Sequence, residues 1–270
     1  MEEEFVVTTS LEDVLSPFDA RDFKVTAVNK DFPDSFELDK LPVKNQGQVG
    51  SCVAHAASEI VEYINRWQEG EYVQMSTGYI YGNREYETNK LAGGYYARLA
   101  MKVLKNNGDC SQDLFPYNVK MPKAEELYLN RDKAIDEEAY KNRITSYFTL
   151  KTADSVKSVL MDGYPVLCSL VWGKGTKYNK EDKMVHFSDN TDGGHCVIIV
   201  GWDDQGWIIQ NSWGKSWGNN GRAVISYNAP IKELWGCTDT IINGVKLVKP
   251  NKLVRLIRTL INILKNIFIK

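Results

Sequence analysis

The chain has 270 residues, 43% of them hydrophobic and 25% charged, and its formal net charge at pH 7 is −2. This length allows one large domain or a two-lobed one, and the composition is that of an ordinary globular protein. A charge this close to zero gives no argument for binding a polyanion, so we expect no nucleic acid among the partners.

The cysteines and the first residues of the chain indicate the cellular compartment of the protein. The chain starts Met1-Glu2-Glu3-Glu4-Phe5, with neither a basic stretch nor an apolar run, so we expect no conventional secretory signal. The five cysteines are an odd number, and no two of them form a CxxC pair. We therefore expect reduced thiols in a cytoplasmic protein, with no metal and no organic cofactor.

In chain order, residues 1–30 are mixed and polar and are predicted to form an N-terminal extension. From Ser51 to Gly70 a helix is predicted, because apolar residues recur at three- and four-residue spacing. They are Val53, Ala56, Ala57, Ile60, Val61 and Ile64. Cys52 then lies at the start of a helix, where unpaired N–H groups and the helix dipole favour an anion.

Further helices are predicted at about 95–106 and 121–142. After Ile144 the character changes to short apolar or alternating runs separated by Gly, Asp and Asn, which is typical of an antiparallel sheet or barrel. These runs are 145–149, 165–172, 196–202, 206–210 and 222–227. The sequence thus predicts a helical lobe over about 45–143 and a β lobe over about 144–246, with any site built from both lying in the cleft between them.

Three residues could together activate a thiol. A cysteine needs a neighbouring imidazole to become a nucleophile near neutral pH, and the imidazole needs a third group to fix its tautomer. Cys52, His195 and Asn211 supply these groups, with His195 and Asn211 lying 143 and 159 residues after Cys52. A cysteine at a helix start more often serves packing, but the preceding Gly50-Ser51 allows close backbone approach, which a structural cysteine does not need.

The neighbours of these residues strengthen the hypothesis. His195 precedes an apolar run and should be held firmly, whereas His55 is expected to pack within its helix and His186 to lie on the surface. Asn211 could be an ordinary turn residue, but Trp213 follows it, and an indole over an Asn–His hydrogen bond would keep water away. Gln46 could be a surface amide or, with the backbone N–H of Cys52, an oxyanion donor.

Taken together, these motifs resemble those of the papain-like cysteine peptidases over roughly residues 36–246. The matching segments are Gln46-Gly47, Gly50-Ser51-Cys52, Gly194-His195, Asn211-Ser212-Trp213-Gly214 and Trp217-Gly218. The resemblance implies an α+β fold of two lobes, a helical left lobe and a barrel-like antiparallel right lobe. It also implies hydrolysis of peptide bonds in peptide or protein substrates. Gln46 would be the oxyanion donor, Cys52 the nucleophile, His195 the general base and acid, and Asn211 its orienting partner.

The resemblance also implies the substrate-binding positions. Gly93 and Gly94 would bond the substrate backbone, and other positions would form the pocket for the residue before the scissile one. The implied substrate-binding residues are Gly93, Gly94, Tyr95, Tyr96, Ser169, Gly193, Gly194 and Trp213. Small side chains at 169 and 193 with aromatic walls lead us to expect an apolar or aromatic substrate residue there.

Three departures mark this chain as a variant, of the bacterial or viral type. The positions of the family's usual disulfide next to the nucleophile hold Val49 and Leu91, which agrees with a reducing compartment. Val53 replaces the aromatic residue that usually follows the nucleophile. The 30 residues before the domain, which we place at 31–248, are too few for the usual long pro-segment.

The last segment, residues 249–270, is basic and amphipathic. After Pro250 it has no acidic residue, and it carries an apolar stripe at helical spacing formed by Leu253, Ile257, Leu260, Ile261, Leu264 and Phe268. The apolar stretch is too short to span a bilayer. Two alternatives stay open: a helix lying peripherally in an anionic membrane, or a helix docked on this protein or on a partner protein.

Two other functions compete with peptide hydrolysis. A transglutaminase-like acyl transferase also uses Cys and then His, but usually with Asp in third place, where this chain has Asn211. A catalytically silent peptide-binding or membrane-tethered module would require a blocked cleft, since all four implied catalytic residues are present.

Overall fold

The computed structural model describes residues 31–84, 94–117 and 128–239, together with Ser16, 24–25, 241–242 and 245–246. Five helices lie entirely within these ranges: α1 Cys52–Glu69, α2 Thr77–Gly82, α3 Ala97–Asn106, α4 Lys133–Lys141 and α5 Ala153–Met161. The described strands are β1 Lys24–Val25, β2 Phe36–Glu37, β3 Ser146–Leu150, β4 Val166–Val171, β5 Lys177–Tyr178, β6 Val185–His186, β7 Gly194–Trp202, β8 Gly206–Gln210, β9 Arg222–Ser226, β10 Ile231–Thr238, β11 Ile241–Ile242 and β12 Val245–Lys246.

Helix α1 is the central element of the helical half. Its residues from Cys52 to Asn65 are all buried, including Glu59 and Glu62, although the apolar spacing predicts only one buried face. The helix ends at Gly70, whose φ of 82° lies in the left-handed region that glycine enters without steric cost. The ring of Trp67 packs over Gly163, so closely that a Cβ there would lie 2.8 Å from the ring.

The second half of the chain folds around one mainly antiparallel sheet. Its strands lie in the order β1, β3, β10, β4, β7, β8, β9, and β2 pairs with β7. The central strands β4 and β7 are buried along their whole length, which explains their continuous apolar sequences. Helix α1, which begins at Cys52, packs against β7 and β4.

The prediction of a helical half followed by a β half is confirmed, with local differences. Within the stretch 121–142, expected as one helix, residues 128–129 and Lys133–Lys141 are helical, and 118–127 lie outside the described residues. The Asp132 carboxylate caps α4 by accepting from Ala134 N at 2.9 Å. Helix α5 within the β half was not predicted. Its sequence signal is the capping box of Thr152 and Ser155.

Two buried charged groups are paired, one between the two halves of the molecule and one within the helical half. The Arg222 guanidinium on β9 donates to Tyr63 Oη on α1 at 2.8 Å and forms an ion pair with Glu37 Oε1 at 2.7 Å. The Lys44 ammonium pairs with Glu62 Oε1 on α1 at 2.8 Å and donates to Ser58 Oγ at 2.6 Å. A buried charge is tolerated only with such partners. The Arg222 contacts therefore constrain how α1 meets the sheet, and the Lys44 contacts fix this lysine against α1.

Among the described residues, no helix is both long and apolar enough to cross a membrane. The predicted boundaries at residues 30 and 248 stay predictions, and the basic segment 249–270 lies outside the described residues.

Candidate active site

The Cys52 thiol lies at the start of α1, against the first residues of β7. Burial raises the pKa of this thiol to about 11, although backbone N–H groups, first that of Cys196, donate to the sulfur and act in the opposite direction. Because Cys196 directly follows His195, this contact brings the thiol next to the imidazole. The predicted nucleophile and base, far apart in sequence, are thus neighbours in the fold.

The hydrogen bond between His195 and Asn211 fixes the tautomer of the imidazole. His195 Nε2 lies 2.8 Å from Asn211 Oδ1, and the same oxygen accepts the backbone N–H of Ser212 at 2.8 Å. An amide oxygen can only accept, so Nε2 must donate its proton. Nδ1 then carries the free lone pair and can take a proton from a thiol.

Two tryptophans enclose this imidazole. The ring of Trp213 is stacked on His195 at 4.5 Å between centroids, and Trp172 meets it edge-on at 5.3 Å. Burial lowers the pKa of His195 to about 4, with the bond to Asn211 acting in the opposite direction. The role of Trp213 was predicted, but Trp172 was not. The available signal for Trp172 was its position directly after the apolar run of β4, across from Gly193.

Gln46 is held in place by both halves of the molecule. Its backbone N–H donates to Ser212 O at 2.8 Å, and its side-chain Oε1 accepts from Ser212 Oγ at 2.6 Å. Its Nε2 donates to Val49 O at 2.9 Å. An amide nitrogen carries two hydrogens, so one stays available for a further acceptor on the side of the loop that leads to Cys52.

The positions expected to bind substrate lie on both sides of the site. Gly94 and Tyr95 are buried, and Tyr96 is the N-cap of α3. Gly93 lies outside the described residues. Across from them Gly193 O accepts from Trp172 N at 2.8 Å, which extends the β4–β7 pairing to the edge of the site, next to Gly194. Ser169 on β4 lies directly opposite Cys196 on β7.

The other two histidines have the roles that the sequence suggested. His55 is buried in α1, where its Nδ1 lies 3.0 Å from Ser51 O, and its ring contacts Tyr117 edge-on at 4.9 Å. His186 is exposed and lies 2.6 Å from an Asp182 carboxylate oxygen. In the described parts of the chain, no group of three or more His, Cys, Asp or Glu side chains could hold a metal ion.

A sequence model for the family described as papain family cysteine protease matches residues 32–235. The chain belongs to this family. It is 28% identical over 207 residues to cathepsin K of Mus musculus, an alignment that covers 73% of this chain and 60% of that protein. This papain-family chain therefore spans less than two thirds of the length of that relative.

Solved structures confirm the papain-like fold of this family member. Xylellain, a cysteine protease from Xylella fastidiosa, superposes with a TM-score of 0.72 at 23% identity, covering 84% of this chain and 95% of its own. The Carica candamarcensis protease CMS1MS2, whose structure contains E-64, superposes with a TM-score of 0.56 at 18% identity, covering 78% of this chain and all of its own (100%). The predicted two-lobed α+β fold is thus confirmed.

Proposed function

We propose that this chain is a cysteine peptidase that hydrolyses peptide bonds in peptide or protein substrates through an acyl-enzyme on Cys52. Family membership supports this activity. The observation that carries it is the 2.8 Å bond from His195 Nε2 to Asn211 Oδ1, which leaves Nδ1 free as a base beside the Cys52 thiol.

In the proposed first step, Cys52 Sγ attacks the carbonyl carbon of the scissile bond while the thiol proton moves to His195 Nδ1. The electron pair of the C=O bond moves to oxygen, and the resulting oxyanion accepts hydrogen bonds from Gln46 Nε2 and the Cys52 backbone N–H. The C–N bond then breaks, and His195 gives its proton to the leaving amine. A thioester on Cys52 remains.

In the second step, water attacks the thioester while His195 Nδ1 takes a proton from it. The C–S bond breaks, the acid product leaves, and the proton returns to sulfur. Asn211 takes no proton in either step; it keeps the imidazole in the tautomer and orientation that both steps require.

Burial favours a neutral pair before attack. It raises the pKa of Cys52 to about 11 and lowers the pKa of His195 to about 4. At pH 7 both groups are then uncharged in the closed site, and the proton moves only as the sulfur approaches the carbonyl. Trp213 and Trp172 contribute to this state because they exclude the water that would stabilise the separated charges.

The assay is turnover of a fluorogenic dipeptide panel in reducing buffer by the wild-type chain, Cys52→Ala and Cys110→Ala. Cys110 is buried in the helical half and serves as a matched cysteine control. We expect thiol-dependent turnover that only Cys52→Ala abolishes. Turnover that persists undiminished in Cys52→Ala would contradict the proposal.

The same assay separates the two competing functions. In an acyl transferase, an added primary amine would react with the thioester in preference to water, and the amine would appear in the product. A silent module would bind peptides without turnover in any variant. The amide at Asn211 and the free Nδ1 of His195 favour hydrolysis over both.

We propose in addition that residues 250–270 bring the protein to an anionic membrane surface. The stripe of apolar residues flanked by lysines and arginines, without an acidic residue, supports this role. The test is co-sedimentation of the full chain with vesicles containing phosphatidylserine, compared with the double variant Ile257→Glu, Leu264→Glu. Equal binding of both proteins would contradict membrane association and favour docking on a partner protein.

We further propose a cytoplasmic location, with peripheral membrane contact through the same segment. The five free, buried cysteines support it, because a reducing compartment keeps thiols unpaired. Fractionation of expressing cells should recover the protein in the cytoplasmic and inner-surface membrane fractions. Recovery in the secreted fraction would contradict this location.

A further inference from the structure

The loop that leads from Gln46 to Cys52 is a tight turn held by its own hydrogen bonds. The carbonyl of Gln46 accepts from Val49 N at 3.4 Å, and the carbonyl of Val49 accepts from Ser51 N at 2.7 Å. The side-chain Nε2 of Gln46 also donates to Val49 O, at 2.9 Å. Val49 stands where the family usually has a cysteine, and all five cysteines of this chain are free. Hydrogen bonds therefore hold this loop in place of a disulfide.

Three residues outside the proposed catalytic set meet at this loop, and we call Ser51, His55 and Tyr117 the Tyr117 cluster. Ser51 Oγ lies 2.8 Å from Tyr117 Oη and 3.2 Å from His55 Nδ1. His55 Nδ1 also lies 3.0 Å from Ser51 O. Tyr117 Oη lies 3.3 Å from Gln46 O, and its ring meets that of His55 edge-on at 4.9 Å between centroids. Ser51 and His55 are buried and Tyr117 is half-buried, so water competes little for these contacts.

The acceptors fix which group donates in each bond of the Tyr117 cluster. A carbonyl oxygen can only accept, so His55 Nδ1 carries a proton and donates to Ser51 O. For the same reason the Tyr117 hydroxyl donates to Gln46 O. Its one proton is then used, and Tyr117 Oη must accept from the Ser51 hydroxyl. The bonds thus run in one direction, from His55 to the carbonyl of Gln46.

Neither titratable group of the Tyr117 cluster changes its charge near neutral pH. Burial, with the charge of Lys44 acting in the same direction, lowers the pKa of His55 to about 3. Burial raises the pKa of Tyr117 to about 12, although the bond from Ser51 acts in the opposite direction. The imidazole therefore stays neutral and the phenol stays protonated from about pH 5 to about pH 9, so the direction of the bonds is the same throughout this range.

We propose that Tyr117 and His55 are positioning residues for the oxyanion donor Gln46. Tyr117 holds the carbonyl of Gln46, and His55 holds Ser51 so that its hydroxyl orients the phenol. This inference rests on the proposed peptidase function, because Gln46 acts only when an oxyanion forms. A donor aimed in advance at that oxygen loses no free energy to reorganisation during the reaction, and this requires a loop that cannot shift.

The first test is Tyr117→Phe, which removes the hydroxyl and keeps the ring beside His55. We expect kcat to fall by about three- to tenfold, the kinetic equivalent of one hydrogen bond, with KM little changed. Tyr79→Phe is the matched control, because it removes another tyrosine hydroxyl of the helical half, one that donates to Asp136 Oδ1 at 2.7 Å. An unchanged kcat in Tyr117→Phe, or an equal loss in Tyr79→Phe, would overturn the assignment.

A double-mutant cycle with Gln46→Ala tests whether Tyr117 acts through Gln46. A general structural defect would lower kcat by the same factor in both backgrounds, because independent effects add as free energies. We expect Tyr117→Phe to lower kcat by less than about twofold once Gln46 has lost its side chain. Equal factors in the two backgrounds would overturn the role of Tyr117 in positioning that side chain.

His55 is tested with two variants that differ in the donor. His55→Phe keeps a ring and removes the donor, whereas His55→Asn places an amide nitrogen near the position of Nδ1. We expect His55→Phe to lower kcat by about three- to tenfold and His55→Asn to keep most of the wild-type kcat. Equal losses in the two variants would show that packing and not the donor matters, which would overturn the role of His55.

A spectroscopic measurement separates failure of this inference from failure of the peptidase proposal. In the Cys52→Ala protein no turnover is needed, and proton–nitrogen correlation spectra report the side-chain amide of Gln46, assigned by its loss in Gln46→Ala. We expect Tyr117→Phe and His55→Phe to shift these signals and Tyr79→Phe to leave them in place. Such shifts support the inference even if the wild-type chain shows no turnover. Unshifted signals in both site variants would overturn it, even if the wild-type chain turns over substrate.

Discussion

The imidazole of His195 and the indole of Trp213 are stacked, with 4.5 Å between ring centroids and 22° between ring planes. Trp172 closes a second side of the same imidazole. The base is therefore surrounded by rings and bonded at one nitrogen to Asn211. This enclosure explains why its pKa is lowered, since water cannot reach the ring to stabilise its charged form.

Replacing either ring should make His195 more basic. We expect Trp172→Leu and Trp213→Leu to raise the pKa of His195 from about 4 towards its ordinary value of 6.5, because each change readmits water. NMR titration of the His195 ring protons measures this pKa directly. Trp67→Leu, at a partly exposed position on α1, is the control. A pKa that stays near 4 in both site variants would show that the rings do not set it.

Removing the orienting amide should slow the chemistry. Asn211→Ala deletes the acceptor of the His195 Nε2 proton, and we expect kcat to fall by about 10- to 100-fold, the kinetic equivalent of about 1.4 to 2.7 kcal/mol. KM should change little, because Asn211 is fully buried. Steady-state kinetics with the exposed Asn190→Ala as control would show this pattern. An unchanged kcat would contradict the assigned tautomer.

The role of Gln46 as oxyanion donor can be tested against a second glutamine, Gln48, in the same loop. Gln46 is buried and bonded to Ser212, whereas Gln48, two residues later, is exposed. We expect Gln46→Ala to lower kcat by about 10²- to 10³-fold, as for other oxyanion donors. Ser212→Ala, which frees the side chain of Gln46, should give a smaller loss, and Gln48→Ala should match the wild-type chain. Equal effects of the two glutamine variants would contradict the assignment.

Glu59 on α1 should make stability depend on pH. Burial, together with the neighbouring Glu62, raises its pKa to about 8, well above the unfolded value of 4.5. The folded chain then binds more protons between these pH values. The contribution of Glu59 to stability is therefore full below pH 4.5 and is lost as pH rises to about 8, with a slope of up to about 1.4 kcal/mol per pH unit.

The check is urea unfolding of Glu59→Gln and the wild-type chain at several pH values from 5 to 8. We expect the variant to become progressively more stable relative to the wild-type chain as pH rises, while the exposed Glu137→Gln follows the wild-type curve. Taking the difference between the two chains cancels the contributions of the histidines. A constant difference across this range would show that Glu59 does not take up a proton on folding.

The residues proposed as catalytic could be singled out from the sequence because each lies in or beside a strong local pattern. Cys52 precedes a clear amphipathic helix, and His195 and Asn211 lie beside continuous apolar runs that can only be buried strands. Strand β10 lacks such a pattern, since Lys232 and Glu233 interrupt its apolar residues. Its position next to β4 depends on pairing over long sequence distance, which local periodicity does not encode.

The surroundings of the expected substrate pocket also depend on contacts that local sequence patterns do not encode. Ser169 and Gly193 were named from the sequence, but Glu233 lies opposite Ser169 only through sheet register. Ser16 contacts Glu233 and Arg98, which lie 217 and 82 positions away in the sequence.

The central claim is an acyl-enzyme on Cys52, and the most direct measurement is intact-mass spectrometry of the chain, quenched in acid during turnover of a slow ester substrate. The account predicts one added acyl group per chain, mapped by peptide digestion to Cys52 and absent from Cys52→Ala. Turnover without an adduct, or with the acyl group on another residue, would contradict it.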